Sequence, residues 1–173
     1  MPDRIYSVGI DIGVSGAICI REDNPDGIVT WDVTDLPVYV IKRKSELNLH
    51  AFADILRHVG NKARAGDKVF AVLERVSAMP KQGVSSTFKF GYTAGAINAM
   101  LCAFEIPHRQ IPPTEWKKFW KIPPKSGKDA SRQSVHKHYP TLRSLTDRKL
   151  HHNRADAILM AAYARTTVAQ LQE

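Results

Sequence analysis

The feature that most constrains this chain is the way its first third divides into short strands. "RIYSVGIDI" sets Tyr6, Val8, Ile10 and Ile12 on one face and Ser7, Gly9 and Asp11 on the other, the two-residue period of a strand. "GAICI" and "GIVTWDV" follow as runs rich in β-formers, with "NPDG" as the turn between them. The three form an antiparallel meander. Further on, "KVFAVLE" is nearly all apolar, which suits the centre of a sheet covered on both faces.

Helices complete the pattern. "NLHAFADILRHVGNKAR" is amphipathic, and "SSTFKFGYTAGAINAMLCAFE" reads as a helix capped by Ser85 or Ser86. "PHRQI" is an edge strand, and helices are expected over 114–121, 127–139 and 152–172. The order of three strands, helix, strand, helix, strand and helices predicts an α/β fold, a five-stranded mixed sheet with helices on both faces. A chain of 173 residues is expected to form one domain spanning 1–173.

Asp11 excludes one reading of "GIDIGVSGA". A dinucleotide cradle needs a glycine where Asp11 stands, its charge would repel a pyrophosphate, and the segment continues as a strand rather than a helix. No nucleotide cofactor is expected. Asp11 instead closes an apolar strand, Glu74 closes another, and Asp156 falls near the start of an Ala-rich helix, where the helix dipole favours a negative charge. Each alone has a plain structural explanation. Three acids at the ends of core elements match what a pair of Mg²⁺ or Mn²⁺ ions needs to act on a phosphodiester.

Charge points to the same class of partner. The chain carries +8, and residues 108–154 hold twelve Lys and Arg against three acids, so the remainder sums to −1. A block this one-sided favours a polyanion, nucleic acid before membrane. In "EWKKFWK", Trp116 and Trp120 anchor a helix to the core and leave Lys117, Lys118 and Lys121 for phosphates. No apolar run is long enough to span a membrane, and the start has no signal-peptide pattern, so a cytoplasmic protein is expected. Cys19 and Cys102 read as buried free thiols.

The chain resembles the RuvC-type Holliday junction resolvases, most closely their phage and prophage members. "GIDIGVSGA", "LERVSAMPKQGVSSTFKFG", "IPPTEWKK" and "KDASRQSVHKHYP" leading to "HHNRADAILMAAYA" carry the resemblance. It implies a ribonuclease H-like fold, a homodimer acting on four-way or branched DNA, and two Mg²⁺ ions held by Asp11, Glu74 and Asp156. Members usually place a fourth acid or a histidine one helical turn before the last aspartate; here His152 or Asn153 fills that role. The loop after Glu74 would bring Lys81, Gln82 and Ser85 to the DNA backbone, with Lys89 beyond them, while Phe88 and Phe90 are read as core. Gly91, Gly95 and Ala99 recur every four residues. Packing within the chain explains that spacing, with self-association as the second reading. Two competing functions remain: an actin-like or sugar-kinase ATPase lobe, and a DNA-binding module without catalysis.

Overall fold

The computed structural model describes residues 4–75 and 83–170. Strands β1 (Ile5–Asp11), β2 (Ala17–Asp23) and β3 (Val29–Asp35) form the expected antiparallel meander. A small separate hairpin follows, β4 (Val38–Ile41) and β5 (Lys44–Leu47), and then α1 (Leu49–Arg64). β6 (Lys68–Glu74) runs parallel to β1, and β7 (His108–Ile111) runs parallel to β6 after α2 (Val84–Ala103). The main sheet has the order β3-β2-β1-β6-β7, so β1 is central and β7 is an edge, as expected. The chain closes with α3 (Pro113–Phe119), α4 (Asp129–His138), two 3₁₀ turns and α5 (His152–Gln170).

Both faces of the sheet are covered. On one, Tyr6, Val8, Ile10 and Leu73 pack with Phe52, Leu56 and Val59 of α1 and with Ile97 and Leu101 of α2. On the other, Ala17, Cys19 and Val72 pack with Trp116 of α3 and the alanine-rich face of α5. Ser7 is therefore fully buried although it belongs to the polar side of the β1 alternation. Gly9 shows how closely α5 approaches. A Cβ there would stand 2.1 Å from the Ala157 carbonyl oxygen and 2.4 Å from the Ala161 nitrogen. Its role is close contact between strand and helix backbones.

Several local expectations change. α2 starts from Gly83 in extended conformation with no side-chain cap, so neither Ser85 nor Ser86 caps it. Cys102 is exposed, and Phe88 is 75% exposed rather than core; Phe90 does pack against the core. Among the described residues, Cβ atoms at Gly91 and Gly95 would meet nothing within 4 Å, so packing between those residues does not account for that stripe. Trp116 is fully buried, and the Trp120 indole N–H donates to the Leu159 carbonyl at 3.0 Å, so this pair anchors α3 to α5 as expected.

Candidate active site

The parallel register of β1 and β6 sets Ile10 opposite Leu73, so the next residue on each strand is Asp11 and Glu74. Adjacent strands lie about 4.8 Å apart, which makes these two carboxylates neighbours at one end of the sheet. α5 lies along β1 and brings Asp156, just past its first turn, to the same end.

The electrostatics record this convergence. Burial lifts the Asp11 carboxyl well above its ordinary value, and the charges of Asp156 and Glu74 push it further. Glu74 is raised by burial and by Asp156. Burial also raises Asp156, against the Ser131 hydroxyl, Lys117 and His152, which favour its charged form. Lys117 opposes the shift at all three acids, so one ammonium serves the whole cluster. Asp156 Oδ1 and Trp116 Nε1 are buried without a hydrogen-bond partner among the described residues. The indole N–H nevertheless lies near enough to Glu74 to favour its charged form. Among the described residues, no three His, Cys, Asp or Glu side chains lie close enough to share one metal ion.

Beside the acids is a groove of about 880 Å³ between α3, the loop 121–128 and the starts of α4 and α5. Asp156 and His152 line it together with Lys117, Lys118, Lys121, Lys125 and Lys128. Asp156 thus lies against a wall of lysines. Three of the five arginines in the basic block behave differently: Arg109 pairs with Glu115, Arg132 with Asp129 and Arg154 with Asp35. Both Arg154–Asp35 bonds are 2.7 Å, and they hold the start of α5 to the end of β3. Five of the block's seven lysines line the groove.

The other sequence candidates fall in different places. His152 is on the groove, with Nδ1 3.3 Å from the Lys149 carbonyl oxygen. The Asn153 side-chain amide donates to the Ser15 carbonyl, tying α5 to the β1–β2 turn. Ser85 is exposed on the first turn of α2, in a separate hollow with Tyr39 and Phe88. The Lys89 ammonium donates to the Ser45 carbonyl and so is directed at the small hairpin rather than the groove. Lys81 and Gln82 lie outside the described residues. Sequence reasoning missed Lys125, Lys128 and Ser131 as groove residues; the lysines of "PPKSGK" were its only signal.

A five-stranded mixed sheet of this order, with helices on both faces, is a ribonuclease H-like fold. Within that class the structure is similar to Thermus thermophilus RuvC. One solved structure of that protein matches with a TM-score of 0.50 and 14% identity, over 95% of this chain and 97% of the other. A second, T. thermophilus RuvC in complex with a Holliday junction substrate, matches with a TM-score of 0.59 and 15% identity, over 96% and 98%. At such identity the likeness establishes the fold. No family model matches the sequence, and no curated protein is similar to it at a significant level.

Proposed function

We propose that this chain is a metal-dependent endonuclease, a single nuclease domain that resolves Holliday junctions or other branched DNA by paired phosphodiester cleavage. The observation that carries the reading is the meeting of Asp11, Glu74 and Asp156 at one sheet end beside a lysine-walled groove. It gains weight from the fold shared with a protein solved on a Holliday junction substrate.

The residues fit a pair of divalent ions. Three buried carboxylates, with Asp11 raised by the charges of both others and Asp156 with a buried oxygen that lacks a partner among the described residues, call for positive charge. A two-ion site spreads its ligands over centres about 4 Å apart, so three acids need not converge on one point. Asp11, Glu74 and Asp156 would hold two Mg²⁺, with Mn²⁺ able to substitute, and His152 or Asn153 would complete the set. When bound, such ions supply a reactive water at neutral pH and neutralise charge on the phosphate. Lys117, Lys118 and Lys121 hold the strand by its phosphates, and Lys117 also tempers repulsion between the acids and the DNA.

Paired cuts in opposed strands require two sites related by two-fold symmetry, which a homodimer provides. The outward face of α2, with Gly91, Gly95 and Ala99 exposed, supports association there. Cleavage of an end-labelled four-way junction tests the reading. Apo protein is expected to bind without cutting, and Mg²⁺ to start symmetric nicking. Cutting that persists in excess chelator would overturn it.

A further inference from the structure

The small second sheet belongs to none of this machinery. β4 and β5 pair with Ile41 opposite Lys44, which leaves Lys42 and Arg43 as a two-residue tip. Both tip residues have left-handed backbones, with φ of 47° and 64°. Tips of this kind favour Asn-Gly or Asp-Gly because both positions need positive φ, and side chains with a Cβ are strained there. Here the tip carries two long cations, and neither has a hydrogen-bond or ion-pair partner among the described residues.

The strand leading to the tip is equally unusual. Val38, Tyr39, Val40 and Ile41 are 40, 42, 66 and 52% exposed, so neither face of β4 is used as core. The root, by contrast, is fixed. The Leu36 N–H donates to the Gly16 carbonyl at 2.9 Å, the Asn48 N–H to the Pro37 carbonyl at 2.8 Å, and Lys89 to the Ser45 carbonyl. Leu47 is buried. The register of β1 with β2 and of β2 with β3 aligns Asp11, Ala17 and Asp35, so the hairpin leaves the sheet at the same end as the acids. It is a firmly rooted arm beside the site, with a strained, unpartnered tip of Lys42 and Arg43 and a third cation, Lys44, next to it.

We propose that the β4–β5 hairpin is a second DNA contact, its basic tip resting on phosphates of a duplex arm outside the groove that holds the cut strand. The inference rests on the branched-DNA reading above. Charge complementarity selects this occupant: three consecutive cations project from a part of the chain that, without them, holds ten Lys and Arg against fourteen Asp and Glu. A two-stranded ribbon is also of a size that a major groove, about 12 Å wide, admits.

The double variant Lys42→Asn, Arg43→Gly tests it, because Asn-Gly suits this turn while removing both charges. Thermal stability should stay the same or rise, which separates the result from misfolding. Binding to a four-way junction should weaken, and the slope of log affinity against log salt should fall by about 0.9 for each phosphate that the tip no longer neutralises. Lys44→Gln, away from the strained positions, should reduce the slope in the same way. Unchanged affinity and slope in both variants would overturn the inference and leave the proposed function standing. A drop in binding that light scattering traces to failed self-association would also overturn it, by assigning the hairpin to a protein interface. If the unaltered protein fails to bind branched DNA, the proposed function fails and this inference falls with it.

Discussion

Gly9→Ala tests the contact on which the site depends. The added methyl carbon would lie 2.1 Å from the Ala157 carbonyl oxygen and 2.4 Å from the Ala161 nitrogen, more than 1 Å inside ordinary contact with the oxygen and nearly that with the nitrogen. Those are backbone atoms of α5, so no side chain can rotate away. Either β1 and α5 separate by about 1 Å or the helix tilts. Overpacking of a core costs about 1–3 kcal/mol, and two backbone clashes at the centre of the main strand–helix interface place this change at the upper end. For a domain of this size about 3 kcal/mol corresponds to a fall in Tm of roughly 6–12 °C, measurable by circular dichroism. Function should suffer beyond stability. Gly9 is two residues before Asp11 on β1, and Ala157 follows Asp156 on α5, so the separation falls on two of the three acids. A misplacement of about 1 Å is worth about a hundredfold in rate, so cleavage well below the variant's Tm should drop by that order. A variant with Tm within about 2 °C of the unaltered protein and full cleavage would show that Gly9 is not the contact described.

Three further outcomes are expected. Because the pKas of Asp11, Glu74 and Asp156 are raised, the stability these groups contribute is present in acid and is lost as pH rises through those values. In chelator at neutral pH, Asp11→Asn should therefore raise Tm while abolishing cleavage, and Mg²⁺ should stabilise this variant less than the unaltered protein; a lower Tm in chelator would contradict the cost of burying the Asp11 charge beside Asp156 and Glu74. Lys117→Met removes the one cation that opposes the shift at all three acids, so it should lower the metal-free Tm at neutral pH and reduce the salt slope of junction binding by about 0.9, and a Tm that holds steady in chelator would remove Lys117 from the cluster. A Cβ at Gly95 meets nothing within 4 Å among the described residues, so in Gly95→Leu the Tm should hold or rise slightly while light scattering reports failed self-association; an intact dimer would move the interface off α2.

Much of the fold could be read from local pattern. The β1–β3 meander follows from two-residue alternation and the "NPDG" turn, and the edge position of β7 from its short polar run. The β4–β5 hairpin escaped because its tip holds Lys42 and Arg43 where glycine or asparagine would announce a turn. Phe88 and Cys102 misled through residue type: both suggest burial, but the outward side of α2 has no partner among the described residues. The Ser85 and Ser86 cap failed because the chain enters α2 through Gly83, two residues earlier.

The candidate site was legible only in its parts. Asp11 and Glu74 stand out as charges closing apolar strands, and the parallel pairing of β1 and β6 then makes them neighbours. Asp156 reads from sequence as an ordinary acid near a helix start, and nothing local says which end of the sheet that helix reaches. The long return through α3, α4 and two 3₁₀ turns decides that, and it also folds Lys125, Lys128 and Ser131 into the groove beside Asp156 from positions with no pattern of their own. The residue that commits α5 to its path carries no functional group. Any side chain at Gly9 would hold the helix off β1, and Asp156 would then meet neither the other carboxylates nor Lys117 as it does here. The chemistry proposed for this chain thus depends on a glycine in mid-strand as directly as on the acids themselves.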